Sequence, residues 1–245
     1  MITPTYIFEE SIDSTNSYLQ NIVDTGNCKE ATVVYCAKQT SGRGQGSNKW
    51  ESNPNENCTF SVYINPSFLK ASEQFYFNKA ICLSVCELVE KYSKVDEVKI
   101  KWPNDIYVQD KKIAGILIEH AVLGDNLYSS ITGIGLNVNQ TIFKHAPNPT
   151  SLKLLNNEDF DVLLVLNDLV EIILKNYYTL KVNCRTLDEA YKDKLYRLDE
   201  WAEFSYNKAK IVAKIIDVNT FGQLLLLNEN NEVLKCSFKE IAYVI

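Results

Sequence analysis

The chain has 245 residues, 46% of them hydrophobic, enough for one large domain or for a large domain with a small appendage. Its formal net charge is −6 and no block of Lys or Arg stands out, which excludes the broad basic face of a nonspecific nucleic-acid binder, so no nucleic-acid partner is expected. The seven cysteines are scattered and contain no C-x-x-C pair, so neither a zinc site nor a disulfide framework is expected, and Cys82 and Cys86 read as core thiols.

The opening "ITPTYIFEESIDSTN" lacks the basic start and apolar run of a secretory signal, and no later stretch approaches about 18 uninterrupted apolar residues. A soluble, cytoplasmic chain without a membrane partner is expected. In "DSTNSYLQNIVDTG" capping residues precede Tyr18, Leu19, Ile22 and Val23 at helical spacing, and Gly26 follows as a stop, which predicts a helix from about Thr15. The β-branched runs "ATVVYCAKQ" and "CTFSVYI" read as strands, so the glycine-rich "TSGRGQGSNKW" between them joins two strands.

Residues 71–94 keep apolar positions at helical period and predict a long helix. "VKIKW", "DIYVQD", "KIAGILIEHAVL" and "LYSSITGIGLNVN" follow as four strand-like runs, broken at Pro103 and Asn104, at Asp110 and Lys111, and at Gly124 to Asn126. They predict an antiparallel meander. "DVLLVLNDLVEIILKNYYTL" is a second long helix and "TLDEAYKDKLY" a shorter third. Beyond about Leu198 the texture becomes short strands with turns at Asn219 to Gly222 and Asn228 to Asn231, which predicts a small β-barrel-like tail. The expected division is a body of residues 1–197 and a β domain of residues 198–245.

Three stretches carry chemistry. The glycine loop has no G-K-[ST] ending and leads into a strand rather than a helix, so it is neither a P-loop nor a dinucleotide turn. It is either a surface turn or a lid in which Arg43, free of side-chain obstruction between Gly42 and Gly44, lies flat on a carboxylate or phosphate. Trp50, which ends it, either packs on a base or anchors the next strand. In the second stretch Lys101, Asn104, Asp105, Lys111 and Lys112 lie close together. They form a solvated face or an anion site, with Lys112 at the mouth of "IAGILIE", a run expected to be buried on both sides, and Gly115 letting a ligand approach the backbone. In the third, Gly133 and Gly135 alternate along a strand with Asn137 on the same face, leaving room for a planar group or marking a twisted strand.

Taken together, "DSTN", "QTSGRGQGSNKWES", "KWPNDIYVQDKKIAGILIE" and "GIGLNVN" resemble the signature of biotin protein ligases, and the tail resembles that family's C-terminal SH3-like domain. No helix-turn-helix segment precedes the first motif, which resembles the monofunctional class. The resemblance implies an α+β fold with a mixed, largely antiparallel sheet, helices packed on it, and an SH3-like β-barrel. It implies a ligase that uses ATP and Mg2+ to convert biotin into biotinyl-5′-AMP, with release of pyrophosphate. The biotinyl group then passes to a lysine of the biotin carboxyl carrier protein domain of a biotin-dependent carboxylase.

By motif position, Ser14, Thr15, Asn16, Gln39, Arg43, Gly44, Gln45 and Lys112 are expected to hold biotin. Trp50, Lys101, Asn104, Gly115, Gly133 and Asn137 are expected to border the nucleotide. Lys112 and Arg43 are expected to stabilise the reacting anions. Asp105 is expected to orient or deprotonate the incoming lysine; no fixed protein metal site is expected, and Asp105 is the candidate contact for the Mg2+ that comes with ATP. The family's loop is often G-R-G-R-R-G, whereas Gln45, Gly46 and Ser47 stand here after Gly44, so a loop that retains the adenylate less firmly is expected. The alternatives are a lipoate-protein ligase, similar in fold and chemistry, and a non-catalytic biotin or adenylate sensor. An SH3-like adaptor with an inert body leaves the polar clusters unexplained. An open sheet edge is expected to be able to pair with the carrier or with a second copy.

Overall fold

The computed structural model describes residues 2–95 and 97–244. The first strand, β1 (Thr5–Ile12), was not anticipated, because as a polar edge strand it lacks an apolar run. It pairs parallel with β2 (Thr32–Gln39), and the crossover that a parallel pair requires is made by α1 (Thr15–Asp24), which starts where the capping pattern placed it. β3 (Asn57–Ile64) runs antiparallel to β2 and is buried along its whole length.

The expected meander is β4 (Val98–Lys101), β5 (Asp105–Val108), β6 (Lys111–Leu123) and β7 (Asn126–Asn137), all paired antiparallel. The seven strands lie in the order β1-β2-β3-β7-β6-β5-β4, so β7 and β3 sit at the centre. The 71–94 helix is a 3₁₀ turn at Ala71–Glu73 followed by α2 (Gln74–Tyr92). Next come the short α3 (Leu152–Asn156) and α4 (Val162–Val182), the latter capped by the Asp161 carboxylate on the N–H groups of Leu163 and Leu164. The third predicted helix is shorter than expected: α5 spans Asp188–Asp193. The chain after it is drawn into backbone pairing with the edge strand β4, where Ile100 N–H donates to Lys194 and Tyr196 N–H to Ile100.

Strand alternation sorts β3 between two layers. Cys58, Phe60, Val62 and Ile64 join α2 and α4 in the main core, while Thr59, Ser61 and Tyr63 point to the α1 face. The candidate site lies on that second face. The expectation that "IAGILIE" is buried on both sides is corrected: Ile113, Ala114 and Ile116 are buried, but Gly115 and Leu117 border an open cavity. Cys82 and Cys86 are core thiols, and burial pushes both above the usual thiol range.

The second sheet contains β8 (Trp201–Tyr206), β9 (Ala209–Val218), β10 (Leu224–Asn228), β11 (Val233–Cys236) and β12 (Ile241–Tyr243). All neighbours are antiparallel, in the order β11-β10-β9-β8-β12, as in an SH3-like barrel. Its Asn219–Gly222 turn meets the first unit: the Trp102 indole N–H donates to the Gly222 carbonyl at 3.0 Å. A Cβ on Gly222 would lie 2.5 Å from the Phe75 ring, so this docking point admits glycine alone. Among the described residues no helix is long and apolar enough to cross a membrane.

His120, on β6, shares a 2.6 Å hydrogen bond with Ser130 Oγ and stands edge-on to Phe77. Burial pushes its pKa from the ordinary 6.5 down to about 4. Between those values the unfolded chain binds a proton that the folded chain excludes, so stability is full above pH 6.5 and falls as the pH is lowered toward 4. Urea titrations are expected to show a loss of about 3 kcal/mol at most from this group across that window, and His120→Asn to flatten that part of the profile.

Candidate functional site

The glycine loop is a folded hairpin rather than a loose turn. Trp50 N–H donates to the Gly42 carbonyl at 2.9 Å, Gly44 N–H donates to Asn48 at 2.8 Å, and Gly46 takes a φ of 68° at its tip. With the ends of β3, β6 and β7, the β4–β5 turn and the start of α1, it encloses a cavity of about 350 Å³. Ser14, Thr15, Asn16, Gln39, Arg43, Gly44, Gln45, Trp50, Lys101, Asn104, Asp105, Lys112, Gly115 and Gly133 all lie on its wall. Of the expected site residues only Asn137 is absent from this wall; it lines a second cavity of about 710 Å³ on the other side of the hairpin.

One end of the first cavity is a hydrogen-bonded polar network. Gln39 Oε1 accepts from the Thr15 backbone N–H at 2.8 Å and from its hydroxyl at 3.2 Å. Ser61 Oγ lies 2.7 Å from Thr15 Oγ1 and 2.5 Å from Asn16 Oδ1. Asn16 Nδ2 then donates to Glu119 at 2.6 Å, and Glu119 receives both arms of the Arg43 guanidinium at 3.0 and 3.2 Å. Arg43 is therefore not a free cation over the cavity as expected, because its fork is occupied by Glu119 and pins the hairpin to β6. Ser61 and Glu119 were missed by the sequence reading. A serine in the otherwise apolar "CTFSVYI", wholly buried, was the available signal for the first. Glu119 sits inside a quoted motif, but nothing local marks it as the partner of Arg43.

The other end is cationic. Lys112 Nζ lies 2.7 Å from Asp105 and 5.6 Å from the centre of the Trp50 ring. Lys101 donates to the Tyr107 hydroxyl at 3.1 Å and stands over the rings of Tyr107 and Tyr243. Burial, together with nearby Lys112 and Arg197, holds its ammonium below the usual lysine range against the pull of Asp105. Asn104 uses its amide N–H internally, donating to the Ile116 carbonyl at 2.5 Å, and so fixes the β4–β5 turn against β6. Arg43, Lys49, Lys101 and Lys112 line the cavity; Glu119 takes up Arg43 and Asp105 takes up Lys112, so among the described residues Lys49 and Lys101 are the lining cations without a carboxylate partner.

The planar group for which the strand glycines leave room is Trp50 itself. A Cβ on Gly135 would lie 2.5 Å from the indole Nε1, and one on Gly115 would lie 3.0 Å from the ring. Gly133, expected at the nucleotide end, instead faces Asn16, whose Cγ would stand 3.0 Å from a Cβ there. Trp50 lines both cavities, and so does Lys112. Among the described residues Trp50 Nε1 and Asn137 Oδ1 are buried without a partner, while Asn137 Nδ2 donates to the Thr150 carbonyl at 2.9 Å. The C-terminal unit closes the first cavity with Phe238 of the turn before β12 and with Ile241, Ala242 and Tyr243 of that strand, a contribution that local pattern does not reveal. The arrangement can hold a neutral polar head group at one end and two anions beside Lys112.

Comparison with known proteins gives the family. Bifunctional ligase/repressor BirA of Bacillus spizizenii is 35% identical over 135 residues, which cover 55% of this chain and 40% of that protein. Biotin--[acetyl-CoA-carboxylase] ligase of Mycobacterium tuberculosis is 30% identical over 141 residues, 57% of this chain and 51% of that protein. The chain thus spans about half the length, or less, of these curated relatives. Among solved structures, biotin protein ligase from Aquifex aeolicus in complex with biotin and ATP is 28% identical and superposes with a TM-score of 0.80 over 97% of each chain. Residues 8–137 match the family described as Biotin/lipoate A/B protein ligase, and the chain belongs to that family.

Proposed function

We propose that the chain is an ATP-dependent biotin protein ligase, with Arg43 anchoring the hairpin through Glu119 and Gly133 lying against Asn16 at the biotin end. The observation that carries this reading is the set of four cations, Arg43, Lys49, Lys101 and Lys112, on the wall of the first cavity, two of them held in place by Glu119 and Asp105, with Lys112 facing the second cavity as well. Biotin lies with its ureido ring on the network of Gln39, Thr15, Asn16 and Ser61, whose donors and acceptors match a cyclic urea. A dithiolane ring has no N–H or C=O to satisfy them, which favours biotin over lipoate. ATP lies across Trp50 with its base toward Asn137 and its α-phosphate at Lys112.

There the biotin carboxylate attacks the α-phosphorus and pyrophosphate leaves. Lys112 and Lys101 offset the charge that builds during the step, and the hairpin holds the two anions together. Among the described residues Asp105 is the one carboxylate on the wall, and it would supply an oxygen ligand to a Mg2+ bound with the nucleotide, which would offset phosphate charge. Once Lys112 is engaged by the ligand anions, Asp105 is released to orient the acceptor lysine of a carrier domain. The open edge at β1, with Phe8 half-exposed, is available to that carrier or to a second copy. Seven free thiols suit a reducing, cytoplasmic setting, and the chain divides at residue 197/198 between the two sheets.

Pyrophosphate exchange into ATP tests the reading: it is expected with biotin, absent without it, and weaker with lipoate. Absence of biotin-dependent exchange would revive the non-catalytic sensor. With Arg43 tied to Glu119 and Gln45 in place of a cation, the adenylate is held loosely. Without a carrier, free biotinyl-5′-AMP is expected in the medium by chromatography, and firm retention would contradict this.

A further inference from the structure

The segment that walls the second cavity opposite Trp50, residues 141–149, lies outside the helices and strands and makes a single β-bridge, Pro149 with Lys112, so something other than backbone pairing must shape its middle. Its two ends are anchored. Gln140, fully buried, accepts through Oε1 from the Asn53 N–H at 2.9 Å and the Asn57 side chain at 2.6 Å. At the far end Lys112 N–H donates to the Asn148 carbonyl at 2.7 Å and Thr150 N–H returns a bond to Lys112 at 2.9 Å. Between these anchors, the contact that orders the middle is made by Glu51. Its Oε1 accepts from the Lys144 N–H at 2.7 Å, and its Oε2 from those of His145 at 2.8 Å and Ala146 at 3.1 Å.

Three converging N–H groups on one carboxylate form a charge-assisted clamp, and such bonds are stronger than those to a neutral acceptor. Glu51 follows Trp50 directly in the chain. One dipeptide therefore carries the indole on one side of the cavity and fixes Phe143, His145 and Pro147 on the other. We propose that Glu51 is a positioning residue for the nucleotide: by clamping residues 144–146 it sets the width of the slot in which the base lies. It touches no reacting atom and acts through the loop. The proposal rests on the reading that ATP occupies the second cavity.

The test is steady-state kinetics with hydrogen exchange on the whole chain, comparing wild type, Glu51→Ala and Glu51→Gln. Gln keeps one acceptor and sets an NH2 against the remaining donors, so its effect should be intermediate. Exchange at Lys144, His145 and Ala146 is expected to be slow in wild type and fast in Glu51→Ala. The KM for ATP is expected to rise about tenfold or more in Glu51→Ala, and by less in Glu51→Gln, with the KM for biotin within about twofold of wild type. Faster amide exchange with an unchanged KM for ATP would make Glu51 a brace for the loop alone and overturn the proposal. A parallel rise in both KM values would overturn it as well. If Glu51→Ala does not fold, Glu51→Gln decides by the same split. Biotin-dependent exchange absent from wild type would defeat the ligase reading itself, a result distinguishable from failure of the clamp.

Discussion

Lys112→Ala is expected to reduce biotin-dependent ATP–pyrophosphate exchange by roughly 10²–10³-fold, the scale on which removing one preorganised charge-stabilising group acts. Lys112 is the one ammonium that both lines the two cavities and is held in place, 2.7 Å from Asp105. Its loss also leaves the Asp105 carboxylate unpaired beside the position of the reacting anions, where it repels them. Asp105→Asn in the Lys112→Ala background is therefore expected to recover part of the loss. Both side chains are about three-quarters buried, so stranding Asp105 without its ammonium also costs stability, by about 1–3 kcal/mol, and the exchange rate is compared at a temperature where the variant stays folded. A Lys112→Ala protein that folds normally and exchanges at the wild-type rate would remove this lysine from the chemistry.

Gly135→Ala has the second large expected effect. The added Cβ would stand 2.5 Å from Trp50 Nε1 and 2.6 Å from Cζ2, far inside contact distance. The backbone cannot retreat, because Gly135 is paired on both flanks, with Thr59 of β3 and Gly115 of β6. The indole must leave, and with it goes the partition between the two cavities. Exchange activity is expected to fall steeply, tryptophan fluorescence to shift toward that of an exposed indole, and stability to drop by about 1–3 kcal/mol from overpacking. The double variant Trp50→Ala/Gly135→Ala separates clash from a general strand defect. With the ring gone the Cβ has room, so the double variant should be no less stable than Trp50→Ala alone. A double variant markedly less stable than Trp50→Ala would show that Gly135 serves the strand rather than the indole.

The elements that were legible in the sequence are those whose signal is local. The cap and apolar spacing around Thr15 placed α1, and the breaks at Pro103, Asp110 and Gly124 delimited the meander. β1 escaped because an edge strand with charged neighbours carries no apolar run, and the third helix was overestimated because its end is taken up by pairing with β4. Among site residues, the motif positions reached the first cavity, since the strands that carry them are adjacent in the sheet. Their pairings were not legible. The partner of Arg43 is Glu119, far away in sequence and adjacent only through the fold.

The sequence by itself determined the residue types and their order: a glycine hairpin with Arg43 and Trp50, lysines around a Trp-Pro-Asn-Asp turn, and glycines alternating on a strand. These follow from the chain because turn, cap and alternation rules act over a few residues. The tertiary structure alone decided which groups are free to meet a ligand. It tied Arg43 to Glu119, set Lys112 beside Asp105, laid Trp50 on Gly135, moved Asn137 into the second cavity and brought the C-terminal sheet onto the site. Each of these depends on distance between segments remote in sequence, and ionic and packing contacts act over a few ångströms of space wherever their partners lie in the chain.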